Sequence, residues 1–312
     1  MVSIIITSYN KEKTIARAID SALKQSYQNY EILIVDDCST DKSLLICQKY
    51  GDKINIISNA INKGLPYSRQ EGIRQAKGEF ITFIDADDYL DSNAIEKCIK
   101  MQKINNADIV QMKISRKIGK VGLTIPFRSK YNTNKALDAC LYNEHFFPVQ
   151  CWGKLYKAEF LKSVTKIKYD GFWGEDRILN IPIMASNPTI VVADKAKYNY
   201  NWGGSTSSTF DINALQEYKQ SYQIKYDWAN ANGYEQHIPS MQNELIELLK
   251  YHIRHLINSS IMSQNGAIEY LQDELEQPFW GSFKLPSTQD LYSIENRSFS
   301  RIFKKNISNL IK

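Results

Sequence analysis

The 312-residue sequence lacks several common signatures, and each absence removes a class of function. No GxGxxG follows the first apolar run, which disfavours a dinucleotide-binding fold. No GxxxxGK[ST] is present to cradle a triphosphate. No GxSxG is present, so a serine-hydrolase elbow is excluded. The five cysteines (Cys38, Cys47, Cys98, Cys140 and Cys151) are odd in number, widely spaced and without a CxxC, which argues for thiols in a reducing compartment and against a structural zinc site. Of the four histidines, His252 and His255 lie three apart on a predicted helix, but no third ligand accompanies them; His145 and His237 stand apart. No run approaches the roughly 18 apolar residues of a spanning helix. "MVSIIITSYN" has no basic leader of the signal-peptide kind. A cytoplasmic protein is expected.

What is present suits a large core: 43% of residues are hydrophobic and 12% aromatic, with 23% charged. The net charge of +5, from 39 basic and 34 acidic residues, is too mild for a nucleic-acid footprint and suits an anionic substrate or membrane surface.

The first hundred residues alternate in type. Val2 to Thr7, 31–37, 54–59 and 79–85 read as strands. Between them lie a helix carrying Ile15, Ala18, Ile19, Ala22 and Leu23, a helix capped by Ser39, Thr40 or Asp41, and a helix opened by Pro66 and closed by Gly78. Such alternation predicts an α/β fold with a parallel sheet covered by helices. Residues 107–115 and 189–202 add strands, 116–135 a loop or hairpin, and 171–186 a loop leading into a helix. From Asn213 helix dominates, so a boundary is expected near Phe210: a domain over 1–210 and a mainly helical region over 211–312.

Ligands of such sheets bind beyond the carboxyl ends of the strands. Three of these ends are polar, "TSYN" (7–10), "DDCSTD" (36–41) and "DADD" (85–88), and are expected to meet in one crevice. Asp85 and Asp87 at a strand end suit a hard cation such as Mg²⁺ or Mn²⁺. The alternative is that these acids serve the next helix, which Asp91 and Ser92 are expected to cap. Asp36 or Asp37 suits a nucleobase imide or ribose, or else a strand-end turn. Tyr9 suits stacking on a base, or core packing. Arg69 reads as a phosphate contact or a surface arginine.

"VSIIITSYN", "ILIVDDCSTD", "NKGLPYSRQEGIRQAKGEFITFIDADD" and "WGEDRILN", in this order over about the first 210 residues, resemble the inverting glycosyltransferases of family 2. The resemblance implies a GT-A fold (a Rossmann-like nucleotide-diphospho-sugar transferase domain) and transfer from a nucleotide sugar, most readily UDP-linked, to a bacterial surface glycan or glycoconjugate. It implies that Thr7, Tyr9 and Asp37, with Asp36 beside them, hold the base and that Arg69 approaches the base or diphosphate. Asp85 would contact the ribose, and Asp87, with Asp85, the Mn²⁺ or Mg²⁺ on the diphosphate. Asp176 would be the catalytic base with Glu175 beside it; Trp152, Lys154 and Trp173 would meet the acceptor. "GGSTSS" (203–208) resembles the family's loop over the diphosphate, with Ser205 and Ser207 as donors, but Asn201 and Trp202 stand where members carry arginine or histidine. Other readings are a catalytically silent domain that binds nucleotide sugars or glycans, and a nucleotidyltransferase, whose Gly-rich basic loop is missing. The tail, 297–312, combines apolar and basic residues that suit either an anionic membrane surface or packing and oligomer contacts.

Overall fold

The computed structural model describes residues 1–118, 121–125, 133–142, 149–165, 174–201, 214–258 and 261–283. The readings placed on Trp173, Trp202, Ser205, Ser207 and the tail 297–312 lie outside the described residues. The chain divides into two compact units, one of residues 1–141 and 147–210, the other of 142–146 and 211–312.

The first unit opens with β1 (Val2–Ser8), α1 (Ile15–Leu23), β2 (Tyr30–Asp36), α2 (Ser43–Gln48), β3 (Asn55–Ser58), α3 (Leu65–Gln75) and β4 (Phe80–Asp85). All seven residues of β1 are buried, which is why its sequence runs apolar instead of alternating: both faces of a central parallel strand are covered. Helix α1 buries Ile15, Ala18, Ile19 and Ala22, the stripe its spacing predicts. Helix α3 begins after Gly64, whose φ of 84° favours glycine, and carries Pro66 in its first turn. It lies so close to β1 that a Cβ on Gly72 would meet Ile5 Cγ2 at 2.5 Å.

Then come β5 (Tyr89–Leu90), α4 (Ala94–Asn105), the hairpin of β6 (Ile109–Ile118) with β7 (Val121–Ile125), α5 (Thr133–Tyr142), β8 (Lys154–Lys157), α6 (Ala158–Val164), α7 (Glu175–Ala185) and β9 (Ile190–Asn201). The described strands form one mixed sheet in the order β3-β2-β1-β4-β8-β6-β9-β5, with β7 paired to β6. The first four are parallel. Strand β8 runs antiparallel between β4 and β6, and β9 runs parallel to β6 across a register shift at Met112/Lys113.

The expected caps differ. Helix α2 follows Lys42, and of the three candidates Asp41 bonds the first helical N–H, accepting from Ser43 at 2.8 Å. Asp91 and Ser92 do not cap α4, whose N-cap position is Asn93 without a side-chain bond. The pairing of β5 with β9 draws this segment away: Asp91 Oδ1 accepts from Asn199 Nδ2 at 2.9 Å.

The second unit holds α8 (Ala214–Asn232), α9 (Ile238–Asn258) and α10 (Gln264–Leu275). Met241, Leu245, Leu249, His252 and Leu256 form the buried stripe of α9. Lys225 joins α8 to α9 through Glu244 at 2.8 Å. Lys219 reaches Glu274 of α10 at 2.7 Å, and Trp280 Nε1 donates to the same carboxylate at 3.0 Å. His252 is buried beside Tyr270, and burial pushes its imidazole down to about 4, a packed histidine. Among the described residues no helix is long and apolar enough to cross a membrane.

Candidate active site

Register brings the three polar strand ends together. Thr7 of β1 faces Val35 on one side and Asp85 on the other, and Ser8 faces Asp36. The "TSYN", "DDCSTD" and "DADD" segments therefore leave the sheet side by side, in the crevice expected of this topology.

At the β2 end the two acids differ. Asp37 is a clasp: Oδ1 accepts from Asn59 Nδ2 at 2.7 Å and Lys63 N–H at 2.9 Å, and Oδ2 from Gly64 N–H at 2.7 Å. These bonds fold the segment before α3 against β2. Asp36 is buried, with Oδ2 accepting from Ser39 N–H at 3.1 Å. Asn10, at φ 52°, fixes the β1 end to the β2 end, since its Oδ1 accepts from Thr40 N–H at 2.8 Å. Thr7 is buried and Tyr9 is 40% exposed, so the Tyr9 ring is available as a stacking face.

Arg69 is not a surface residue. It is 1% exposed and ties the two acidic parts of the site together. Its Nη1 donates to Asp176 Oδ1 at 2.6 Å and lies 3.4 Å from Glu175 Oε1; its Nη2 donates to Asp85 Oδ1 at 3.2 Å. Burial opposes this charge, but Asp176 and Asp85 outweigh it and hold the guanidinium well above its ordinary range. Glu175 and Asp176 sit at the start of α7, where Gly174 adopts φ 81° and helical N–H groups favour carboxylates. Cys151 N–H also donates to Asp176 Oδ1, at 3.0 Å. Asn180, one turn on, donates to the Asp176 and Val149 carbonyls at 2.7 and 2.8 Å, anchoring the first turn of α7. Burial, then the Asp176 charge, pushes Glu175 up to about 8.

At the β4 end, ligand oxygens of Asp85, Asp87 and Asp88 all lie within 4.8 Å of one another. Burial pushes Asp85 up to about 6 against the pull of Arg69. Burial and the Asp85 charge push Asp88 up to about 8. An all-oxygen set whose charges repel in a buried turn fits a hard divalent cation. Asp88 accepts from Tyr198 Oη at 2.7 Å and Asn201 N–H at 2.8 Å, and the same Tyr198 Oη accepts from Asp85 N–H at 3.1 Å. Lys11 Nζ bonds Asp87 Oδ2 at 2.7 Å, and Arg17 donates to the Asp87 carbonyl.

The acceptor candidates lie deeper than the sequence suggests. Trp152 is 7% exposed and stacks on Tyr198 and Tyr200, with centroids 4.6 and 5.1 Å away. Lys154 is wholly buried in β8, donates to the Gln150 carbonyl, and is pushed down to about 8 by burial. Lys11, Asp88, Asn180 and Tyr198 were not singled out by sequence. Asp88 stood in the acidic turn itself, and Tyr198 alternates with Tyr200 on one face of β9; Lys11 and Asn180 carry no local signal.

The family model for "Glycosyl transferase family 2" matches residues 3–164, just over half of the chain. The chain belongs to glycosyl transferase family 2. Within this family it is 36% identical over 167 residues to a poly(ribitol-phosphate) beta-glucosyltransferase of Bacillus spizizenii, covering 52% of this chain and 26% of that protein. It is 29% identical over 207 residues to the poly(ribitol-phosphate) beta-N-acetylglucosaminyltransferase TarS of Staphylococcus aureus, covering 63% and 35%. The chain thus spans about a third of the length of the curated relatives it matches. Its fold is like that of S. aureus TarS 1-349 in complex with UDP-GlcNAc, at a TM-score of 0.60 and 20% identity over 81% of this chain and 83% of that one. It is also like that of a Pyrobaculum calidifontis mannosyltransferase in complex with GDP-Man and Mn²⁺, at a TM-score of 0.54 and 13% identity over 90% and 82%. The fold is the family's GT-A fold, followed by a helical C-terminal region.

Proposed function

We propose that the first unit is the catalytic domain of an inverting glycosyltransferase that moves a sugar from a UDP-linked donor to a bacterial surface glycan or glycoconjugate. One observation carries the reading: Arg69 joins the Asp176–Glu175 pair to Asp85, so a candidate base stands against the carboxylate turn that suits a donor diphosphate. The poly(ribitol-phosphate) glycosyltransferases among the relatives make such polymers the first acceptors to try.

In this reading Tyr9 stacks on the base, and Thr7, Asp36 and Asp37 shape the slot around it. Asp87, with Asp85 and Asp88 beside it, holds Mn²⁺ or Mg²⁺. That ion, when bound, offsets the charge developing on the leaving diphosphate. Asp176 takes the proton of the attacking hydroxyl. Its Oδ1 receives both Arg69 and Cys151 N–H, which fixes the carboxyl plane and leaves Oδ2 as the proton acceptor. Burial and the Asp176 charge push Glu175 up to about 8, which makes it the poorer candidate for the base near neutral pH. Attack on the face opposite the leaving group inverts the anomeric centre. The site calls for a nucleotide sugar and a glycan, not nucleic acid. A cytoplasmic placement beside the membrane, through 297–312, and a homo-oligomer belong to the same proposal.

The test is UDP release from UDP-glucose and UDP-GlcNAc with Mn²⁺, with and without poly(ribitol phosphate) or a crude surface-glycan fraction. Release that requires acceptor supports transfer. Tight UDP-sugar binding with no release under any acceptor would make the chain a silent binding domain.

A further inference from the structure

Lys11 enters the site from the loop after β1. Its backbone is fixed: Lys11 N–H donates to Ser43 Oγ at 2.7 Å, and Glu12 N–H to Asp41 Oδ2 at 2.9 Å. Only the four-carbon stem is left to move. Its ammonium meets Asp87 Oδ2 at 2.7 Å, where the Lys11 and Asp87 side chains are 18% and 11% exposed. The Asp87 main chain is held separately, by Arg17, whose guanidinium lies 5.1 Å from the centre of the Tyr89 ring. The carboxylate assigned above to the divalent ion therefore already bears a monovalent cation supplied by the chain.

Two cations cannot share one carboxylate oxygen without repulsion, so a divalent ion arriving at Asp87 displaces the ammonium. A donor diphosphate at the same turn is the nearest new anion, and a lysine is a compact point charge on a flexible stem, suited to such an exchange. We propose that Lys11 is the resident counter-cation of Asp87 in the empty site and a phosphate-binding residue in the loaded one. It lowers the affinity for free divalent ion and raises that for the nucleoside diphosphate. The inference rests on the reading of Asp87 as the metal-bearing carboxylate.

Calorimetry on the full chain tests it with two titrations, Mn²⁺ without nucleotide and UDP in EDTA. Lys11→Met keeps the length of the stem and removes the charge; Lys11→Gln serves if that variant does not fold. The variant is expected to bind Mn²⁺ about tenfold more tightly, which corresponds to ~1.4 kcal/mol, and to bind UDP about tenfold more weakly in EDTA. Asp87→Asn is the reference and should weaken Mn²⁺ in either background. If Asp87→Asn weakens Mn²⁺ while Lys11→Met leaves it unchanged, the counter-cation role is overturned and the Asp87 reading stands. Tighter Mn²⁺ with unchanged UDP binding overturns the phosphate contact. If Asp87→Asn leaves Mn²⁺ binding intact, the reading of Asp87 fails and this inference falls with it.

Discussion

Arg69→Met strips the guanidinium from a cluster in which it meets Asp85, Glu175 and Asp176 at 3.2, 3.4 and 2.6 Å. Methionine fills much of the space but leaves three carboxylates facing one another. Removing one partner of a buried ion pair costs about 3–5 kcal/mol. The lower end applies, because the three carboxylates are 17–24% exposed and keep some water. A loss of about 3 kcal/mol corresponds to a fall in Tm of roughly 6–12 °C for a unit of this size. The loss depends on pH, and its sign is fixed. Burial, then like charge, raises Asp85 to about 6 and Glu175 to about 8 with Arg69 in place. Without the guanidinium these groups hold their protons more firmly, so the folded variant binds more protons than its unfolded chain from the ordinary carboxylate range to beyond pH 8. Its stability therefore falls faster than that of the native protein as pH rises. Melting curves of both proteins at pH 6, 7 and 8 should show a gap that widens with pH. A gap under 2 °C, or one equal at all three values, would refute the view that Arg69 compensates these carboxylates.

Asp176→Asn keeps an acceptor for Arg69 and Cys151 N–H, so Tm should drop only a few degrees while transfer in the folded fraction falls by roughly 10²–10⁴; turnover near native would remove Asp176 from the mechanism. Glu175→Gln mimics the protonated acid that the fold already favours, so it should leave Tm unchanged near pH 4, below the ordinary carboxylate range, and raise it increasingly as pH climbs from 5 to 8, read by calorimetry. Gly72→Ala drives a methyl into Ile5 Cγ2 and should cost about 1–3 kcal/mol in urea unfolding, with UDP binding retained in the folded fraction.

The parallel half of the sheet was legible because each strand there is a short, continuous apolar run and each helix carries a stripe. The convergence of the three polar strand ends followed from topology alone. Strand β8 was not legible: "KLYK" is four residues among basic and aromatic neighbours, and its place between β4 and β6 is set by long-range pairing. That place is why Lys154 is buried. Arg69 read as a surface or phosphate residue because its partners lie up to 107 positions away, beyond any local pattern. Lys11 stands in "NKEK", where nothing near it in sequence announces Asp87. Asp91 and Ser92 look like a cap until the two-residue β5 pairs with β9.

The span from Arg69 to Asp176 also sets an order of events while the chain is made. At about 5–20 residues per second, a ribosome needs roughly 5–20 s to add the 107 residues between them. For most of that interval, from the end of β4 at Asp85 to the start of β8 at Lys154, β1 to β4 have been made, but β8, which flanks β4, and α7, which supplies the acids, have not. The nascent intermediate exposes the edge of β4 and carries an arginine whose final environment does not yet exist. Exposed strand edges of this kind invite mispairing. The same contact that completes the site thus defines the window in which the growing chain has most need of protection.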